Sequence, residues 1–468
     1  MGAPGTGKTT FGLQFLLEGV RLGERVLYVT LSHTERELGE IARSHGWSLA
    51  GMPLYEFSAG EAANRLASDQ TVLHTAELEL GESIDTILAV VSKARPQRLV
   101  FDPIEQIRRM ADSPLRYRRQ LLILKQALTG LPCTSLFLSE SSPQEESELA
   151  NLVHGIVALE RWAPAYGSVR RQLEVVKGRG MRYVDGYHSF RIRTGGLTVY
   201  PRIGNSETSD KDAKWTPVGS GVEELDALLG GGLQEGTACL IVGPTGTGKT
   251  SITTLYAYEA AQRGESSAVF LFDERPETYL RRAKGLGMDI RPHIDAGVMR
   301  LQQVNTGEQS PGEFAHTVRE AVERDGVKII VIDSLTGYLN AMPQETLLIN
   351  QMHELLSYLG QRGVLTLLVI AQSGVLGEGK IVPLDVSYLA DTVLVLRHFE
   401  VGGHIRRAIS VIKKRYGAHE ATIRELRITS TGIHVGEPIM EFGNILTSTP
   451  TFGGSNRMLL NQRDDEQG

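Results

Sequence analysis

The stretches Gly2-Ala-Pro-Gly-Thr-Gly-Lys8-Thr9 and Gly243-Pro-Thr-Gly-Thr-Gly-Lys249-Thr250 repeat one pattern, G-x-x-x-x-G-K-[ST]. The glycines let successive backbone N–H groups surround phosphate oxygens, the lysine reaches the outer phosphates, and the threonine can hold Mg²⁺. Each stretch therefore predicts a phosphate-binding loop (P-loop) for ATP. The predicted ATP contacts are Gly2, Gly5, Thr6, Gly7, Lys8, Thr9 and Thr10 in the first copy, and Gly243, Thr245, Gly246, Thr247, Gly248, Lys249, Thr250 and Ser251 in the second.

An apolar run that ends in aspartate follows each loop. These runs are Arg98-Leu-Val-Phe-Asp102 and Ile329-Ile-Val-Ile-Asp333. A glycine turn that only caps a helix predicts no such run, whereas a buried parallel strand that carries a Mg²⁺-coordinating carboxylate does. We therefore predict two Mg²⁺ sites, one held by Thr9 and Asp102 and the other by Thr250 and Asp333.

Length and composition limit the class of protein. A chain of 468 residues exceeds what one hydrophobic core usually supports, and 41% hydrophobic with 22% charged residues is typical of soluble globular proteins. The sequence has no apolar run of about 18 residues, so we predict a cytoplasmic protein without a membrane partner. The net charge of −6 disfavours a protein that coats nucleic acid. Cys133 and Cys239 are far apart and are interpreted as small core residues, which leaves Mg²⁺ as the only implied metal.

Three landmarks recur in the same order and indicate a duplicated domain. After the P-loop and the aspartate strand, Lys177-Gly-Arg179 in the first half corresponds to Lys413-Lys-Arg415 in the second. Helical patterns alternate with short β-rich runs, as in βαβ units. We predict an α/β fold of two tandem P-loop domains with mainly parallel central sheets flanked by helices. The predicted parts are residues 1–203, a polar linker 204–214, a second domain 215–454 and a polar tail 455–468.

One difference separates the two copies. In the second, the apolar run Ala238-Cys-Leu-Ile-Val242 precedes the P-loop and should be the strand that leads into it. In the first, Met1 stands directly before the loop. We therefore expect the first sheet to lack a central strand, with the true start of the protein upstream.

Together the motifs resemble the KaiC-type branch of the RecA-like ATPases over nearly the whole chain. Besides the two P-loops, the segments that carry the resemblance are Gly219-Ser-Gly-Val-Glu-Glu-Leu-Asp-Ala-Leu-Leu-Gly-Gly-Gly232, Ile332-Asp-Ser334, Ala390-Asp-Thr392 and Lys413-Lys-Arg-Tyr-Gly-Ala-His-Glu420. The resemblance implies homohexameric rings with ATP held between subunits. It also implies that Lys413 with Arg415, and Lys177 with Arg179, reach into the neighbouring subunit's site, although a solvated basic strand end is the simpler interpretation.

The same resemblance implies two adjacent acidic residues after the strand that follows the P-loop helix. The second half has Asp273-Glu274 there, whereas the first has Ser32-His33. We therefore predict that catalysis depends on Asp273, Glu274 and Lys249, with Lys413 and Arg415 acting in trans. The first site should bind ATP and hydrolyse it slowly, unless His33 serves as the base. The nearby Glu35 and Glu37 are interpreted as favourable charges at a helix start.

Ser387 is a candidate autophosphorylation site by the same resemblance, because the family's clock protein carries an adjacent Ser-Thr pair at this position. Tyr388 departs from that pattern, and the simpler interpretation is the start of a strand.

Three functions remain open from the sequence. The first is an ATPase and Ser/Thr autokinase that acts as a nucleotide-driven switch on an unidentified signalling partner. The second is a RecA- or DnaB-like DNA-dependent ATPase, in which Gln372 would couple ATP to a DNA-contacting loop. Its basic clusters, such as Arg116-Tyr-Arg-Arg119, are dispersed, so nucleic acid is a disfavoured partner. The third is an ATP-binding scaffold with little turnover.

Overall fold

A computed structural model describes residues 1–57, 75–111, 113–140, 147–164, 167–204, 216–339, 345–372, 386–401, 403–440, 442–443 and 451–452. The chain divides into two compact units, Met1–Arg202 and Ile203–Gly468. The predicted tail and, except for its first residue, the predicted linker lie outside the described residues, so both stay predictions. Within the described part, no helix is both long and apolar enough to span a bilayer.

The first unit alternates helices and strands in its first three quarters and ends in antiparallel strands. Its helices are α1 Lys8–Arg21, α2 Glu35–Ser44, α3 Thr75–Ala94, α4 Glu105–Met110, α5 Pro114–Thr129 and α6 Ser147–Leu152. Its strands are β1 Val26–Thr30, β2 Leu54–Glu56, β3 Arg98–Asp102, β4 Thr134–Phe137, β5 Gly155–Trp162, β6 Arg170–Gly178, β7 Tyr187–Arg193 and β8 Gly196–Tyr200.

The second unit repeats this plan. Its helices are α7 Glu223–Leu228, α8 Lys249–Gln262, α9 Pro276–Gly285, α10 Arg291–Asp295, α11 Pro311–Glu323, α12 Leu335–Leu339 and α13 Glu345–Gln361, with a 3₁₀ turn at Ser387–Leu389. Its strands are β9 Pro217–Val218, β10 Leu233–Gln234, β11 Ala238–Gly243, β12 Ser267–Leu271, β13 Met299–Gln303, β14 Ile329–Asp333, β15 Leu365–Ala371, β16 Thr392–Val401, β17 His404–Lys414, β18 Ile423–Thr429, β19 Gly432–Pro438, β20 Phe442–Gly443 and β21 Thr451–Phe452.

Strand order shows how the two units correspond. The second unit has one nine-stranded sheet in the order β13-β12-β14-β15-β11-β16-β17-β18-β19, parallel as far as β16 and antiparallel beyond it. The first unit has a parallel sheet β2-β1-β3-β4 and a separate antiparallel sheet β5-β6-β7-β8. The two small sheets match the two flanks of the large one, with the position of β11 falling between β4 and β5.

Alternating side chains of the parallel strands face helices on both sides. In β12, Val269 and Leu271 belong to one buried cluster while Ala268 and Phe270 belong to the other. Both faces are covered, which is why these strands read as continuous apolar runs. The fold class is therefore the predicted one: α/β, in two tandem units, with helices on the sheet faces.

The predicted strands that end in aspartate coincide with β3 and β14. The helices after the P-loops begin at the lysines, because the glycines before them take left-handed backbone conformations, with φ 105° at Gly7 and φ 100° at Gly248. A Cβ on Gly248 would lie 2.2 Å from the Ile428 side chain, so space as well as conformation requires glycine.

The interpretation of both cysteines as core residues is half right. Cys239 is fully buried in β11, whereas Cys133 is only partly buried before β4. The difference follows from position, since β11 is a central strand and β4 is at the edge of its sheet.

Candidate nucleotide sites

The two P-loops have the same local geometry. In the first, Lys8 Nζ donates hydrogen bonds to the carbonyls of Gly2 and Ala3 at 2.6 and 3.1 Å. In the second, Lys249 Nζ donates to the carbonyls of Gly243 and Pro244 at 2.8 and 2.6 Å. Each lysine therefore folds over its own loop at the amino end of a helix, where backbone N–H groups and the helix dipole favour phosphate.

Burial makes both lysines easier to deprotonate. Desolvation lowers the pKa of Lys249 to about 8, against a smaller opposing effect of the Asp333 carboxylate. Desolvation likewise lowers the pKa of Lys8. Because the folded-state pKa of Lys249 is below its usual 10.5, the charged lysine destabilises the folded protein below about pH 8, and this penalty fades as the pH rises towards 10.5.

This shift predicts proton uptake when ATP binds to the second site. At pH 8 about half of the Lys249 side chains should be neutral, and the negative phosphates should restore the charge by raising the lysine pKa. Titration calorimetry of the Lys8→Ala chain in two buffers with different ionisation enthalpies should give uptake of about half a proton per bound ATP. The same titration at pH 6.5 is the control, because Lys249 is already charged there. Equal uptake at both pH values would contradict the prediction.

The second site fits a divalent cation. The Thr250 hydroxyl interacts with the carboxylate of Asp333, and burial raises the pKa of that carboxylate. Within the described part of the chain, the buried Asp333 Oδ2 atom has no hydrogen-bond partner. A buried, unpartnered carboxylate oxygen beside a P-loop threonine is the donor set that Mg²⁺ uses in ATP sites.

In the first site, the corresponding aspartate already accepts two hydrogen bonds from protein side chains. Asp102 Oδ2 accepts hydrogen bonds from the Thr9 hydroxyl at 3.0 Å and from the buried Tyr28 hydroxyl at 2.5 Å. The second unit has Val269 at the position of Tyr28. Val269 lies in β12, which pairs with β14 as β1 pairs with β3. The tyrosine hydroxyl therefore competes for an oxygen that a cation would use.

The predicted catalytic carboxylates of the second unit lie between β12 and α9, and each has a protein partner. Asp273 Oδ2 accepts a hydrogen bond from Ser334 Oγ at 2.5 Å, directly after the Asp333 strand. Glu274 Oε1 accepts one from Arg282 Nη1 at 2.6 Å. The pair therefore lies next to Asp333, the predicted metal ligand, and its catalytic role stays a prediction.

The corresponding segment of the first unit carries no carboxylate pair. Ser32 Oγ lies 3.1 Å from His33 Nδ1, which is 3.9 Å from Asp102 Oδ2. Glu37 closes a capping box with Thr34 at the start of α2, as the helix-start interpretation predicts. Glu35 also belongs to the first turn of this helix, and its backbone N–H donates to Glu56.

Lys413 and Arg415 contact the segment that contains Ser387. Lys413 Nζ donates to the carbonyls of Ser387 and Ala390 at 2.9 and 2.7 Å. Arg415 donates to Asp391 Oδ1 and to the Tyr388 carbonyl, both at 3.3 Å. The predicted finger residues and the predicted phosphorylation site thus form one cluster, which we call the basic corner.

The basic corner lies at the opposite end of the sheet from its own P-loop. The Asp391 backbone N–H donates to the carbonyl of Ala238, the first residue of β11, whereas the P-loop starts at Gly243, its last residue. A strand of this length spans roughly 16 Å. Geometry therefore does not bring Lys413, Arg415 and Ser387 to the P-loop of the same unit.

The corresponding pair of the first unit occupies the end of β6. Lys177 Nζ donates to the Ala150 carbonyl at 2.6 Å, and the Arg179 backbone N–H donates to the His154 carbonyl. Lys177 pairs with Ile156, near the start of β5. The two units therefore present this motif at equivalent positions of their antiparallel strands.

Two residues that were not predicted from the sequence, Tyr28 and Arg282, contact the carboxylates of the candidate sites. Tyr28 was hidden within an apolar strand, and Arg282 within a charged helix surface. Arg282 also lies 5.2 Å from the centre of the Tyr279 ring. No sequence spacing indicated Arg282, because Glu274 precedes α9 whereas Arg282 lies in it, and their contact depends on how the chain enters the helix.

Two P-loops, each followed by a strand that ends in aspartate next to the loop threonine, are the arrangement of a P-loop ATPase with two candidate nucleotide sites. A family model described as "ATPase: KaiC" matches residues 1–203 and 218–439. The chain is 27% identical over 464 residues to "Circadian clock protein KaiC3" of Synechocystis, with 96% of this chain and 90% of the relative covered. It is 26% identical over 464 residues to "Circadian clock oscillator protein KaiC" of Synechococcus elongatus, with 96% and 87% covered.

The chain belongs to the KaiC family of ATPases. It is thus an ATP-binding KaiC-like protein, and the resemblance inferred from its motifs is confirmed.

Proposed function

We propose that this protein hydrolyses ATP mainly at its second site, and that it also transfers the γ-phosphoryl group of ATP to Ser387 of a neighbouring copy. In this proposal the copies form a homohexameric ring in the cytoplasm. Nucleotide and phosphorylation state together make the ring a switch that signals to a protein partner. The observation that carries the proposal is the position of the basic corner.

The opposite positions of P-loop and basic corner favour action between subunits. Ser387 is partly buried, Tyr388 is exposed, and Arg415 has about half of its side chain exposed. An exposed guanidinium about one strand length from the P-loop of its own unit is placed away from that unit's γ-phosphate and is free to approach the site of a neighbouring copy. An arginine supplied in this way makes turnover depend on assembly.

Side chains of the second site suit phosphoryl transfer. Asp333 and Thr250 would hold Mg²⁺, and Lys249 would contact the outer phosphates. Bound Mg²⁺ would neutralise charge on the transferred group. Glu274 would accept the proton of the attacking water or of the Ser387 hydroxyl, while the hydrogen bond from Arg282 holds its carboxylate in place.

The first site supports a different role. It lacks the acidic pair, and Tyr28 and Thr9 already bind the oxygen of Asp102. We propose that it binds ATP for assembly, with Lys8 on the phosphates and slow turnover. Lys177 and Arg179 of the neighbouring copy would complete it.

The two alternatives receive less support. Gln372, the proposed coupling residue of a DNA motor, accepts a hydrogen bond from Arg397 at 2.6 Å. Of the basic cluster on α5, Arg118 forms an ion pair with Glu148. A scaffold without turnover would not need the Asp273 and Glu274 pair next to Asp333.

Mass spectrometry of the intact protein and its peptides after incubation with Mg-ATP tests the kinase proposal. We expect one phosphate on Ser387 in the unmodified chain, and none in Lys249→Ala, which removes the lysine contact to the phosphates. Tyr388→Phe is the matched control and should still be labelled, because it removes the neighbouring hydroxyl only. If phosphate is released in a Lys249-dependent way but the protein carries no label, the protein is an ATPase switch and the kinase proposal is wrong.

A further inference from the structure

The P-loop helix and the helix after the next strand carry different residues at their contact in the two units. In the first unit, Leu13 of α1 and Leu38 of α2 are fully buried in one cluster, and Ile41 packs against it. When Lys8 is placed on Lys249, α2 and α9 begin and end at equivalent positions, which identifies the corresponding residues of the second unit. These residues are Thr254 of α8 and Tyr279 and Arg282 of α9.

In the second unit, these three residues form a continuous path of polar contacts. The Thr254 hydroxyl donates to the carbonyl of the P-loop residue Thr250 at 2.7 Å, and it lies 2.8 Å from the Tyr279 hydroxyl. The Arg282 guanidinium carbon lies 5.2 Å from the centre of the Tyr279 ring, within the range of a cation–π contact. Arg282 Nη1 in turn donates to Glu274 at 2.6 Å. The P-loop and Glu274 are therefore joined through side chains alone.

Tyr279 supports the guanidinium of Arg282. Within the part of the chain that the structure describes, Arg282 Nη2 is buried and has no hydrogen-bond partner, so the bond from Nη1 to Glu274 does not by itself fix the plane of the guanidinium. The Tyr279 ring is fully buried, and its hydroxyl is anchored at Thr254. A ring held in this way is a rigid surface for a planar cation. The orientation of Arg282 thus depends on Tyr279 and, through Thr254, on the P-loop helix.

The charge on Arg282 reaches the predicted metal ligand as well. Burial raises the pKa of Asp333, and the hydrogen bond with Thr250 and the charge on Arg282 both oppose this rise. About one third of the Arg282 side chain is exposed, so solvent screens its ion pair with Glu274 and the pair contributes little to stability. Loss of Arg282 should therefore change the position of the Glu274 carboxylate more than the stability of the fold.

We propose that Arg282 and Tyr279 are positioning residues for ATP hydrolysis at the second site. Tyr279, anchored to the P-loop helix by Thr254, holds Arg282 in the orientation that places Glu274 to accept a proton. This inference rests on the proposed role of Glu274 as the base. It accounts for the difference between the units, because the polar path occurs where the acidic pair is present and apolar residues replace it where the pair is absent. A displacement of about 1 Å at such a group can cost about 10²-fold in rate.

The test is steady-state ATP hydrolysis by the full chain, with kcat and KM measured separately. Arg282→Gln should lower kcat by about tenfold to a hundredfold at constant KM. Arg282→Lys keeps a charged donor for Glu274 and should recover part of the loss. Arg281→Gln, at the exposed neighbouring position of α9, is the matched control and should leave kcat unchanged. Thermal unfolding of each variant measures any loss of stability separately.

A double variant tests the order of the path. Tyr279→Phe keeps the ring and removes the hydroxyl, so it should lower kcat by about threefold to tenfold. Because Tyr279 acts through Arg282, the double variant Tyr279→Phe with Arg282→Gln should have the same kcat as Arg282→Gln alone. If the two losses multiply, Tyr279 does not act through Arg282 and the proposal is wrong.

Glu274→Gln separates this inference from the proposed role of Glu274. If Glu274→Gln lowers kcat and Arg282→Gln does not, the positioning role is wrong and the base assignment stands. If Arg282→Gln lowers kcat and Glu274→Gln does not, Arg282 does not act through Glu274, and both assignments are wrong. If neither variant lowers kcat, both assignments are wrong as well. An increase in KM in place of a decrease in kcat would make Arg282 a binding residue and overturn its positioning role.

Discussion

Replacement of Arg415 by alanine should lower ATP turnover at the second site by about 10³-fold or more, the usual effect of losing an arginine supplied in trans. The loss should be catalytic rather than structural. Arg415 pairs with Asp391 at 3.3 Å while half-exposed, and such pairs contribute only about 0–1 kcal/mol to stability. Steady-state phosphate release, together with thermal unfolding, measures both effects. Arg263→Ala, which removes an exposed, ion-paired arginine elsewhere in the unit, is the matched control.

A mixture of two inactive variants separates action in trans from action in cis. Arg415→Ala keeps the P-loop but lacks the arginine, whereas Lys249→Ala keeps the arginine but lacks the P-loop lysine. Mixed and allowed to exchange subunits, the two should regain a substantial part of the lost turnover. No recovery, in mixtures that demonstrably exchange, would mean that Arg415 does not act on a neighbouring copy.

Replacement of Glu274 by glutamine should lower turnover at the second site by about 10²- to 10⁴-fold, because an amide cannot accept the proton of the attacking group. ATP affinity should change little, since the side chain keeps its size and the oxygen that accepts from Arg282. Glu277→Gln, on the first turn of α9 three residues after Glu274, is the control and should leave the rate unchanged. Separate measurement of kcat and KM distinguishes a catalytic role from a binding role, because loss of a binding contact would raise KM rather than lower kcat.

The first unit offers the converse experiment. In Lys249→Ala only the first site remains, and its turnover should be slow. Adding Ser32→Asp with His33→Glu should raise it by about tenfold or more, because the new pair supplies the missing base beside Asp102. If Lys249→Ala alone already hydrolyses ATP fast, Ser32 and His33 do not limit turnover at the first site.

The α/β class, the two tandem units and the family could all be predicted from the amino-acid sequence. These follow from local patterns: glycine spacing in the P-loops, and apolar runs such as β3 and β14 that end in aspartate. Such features depend on residues close together in the chain, where backbone conformation and burial leave few alternatives.

The contacts between side chains far apart in the sequence could not be predicted and follow from the fold. The hydrogen bonds of Tyr28 to Asp102 and of Ser334 to Asp273 join residues 74 and 61 positions apart. The position of Ser387, Lys413 and Arg415 far from their own P-loop depends on the direction in which β16 and β17 cross the sheet. Pairing between strands is a non-local interaction, so sequence spacing does not encode it. The proposed action of these residues on a neighbouring copy, which the family resemblance implied, thus gains its physical support from strand topology.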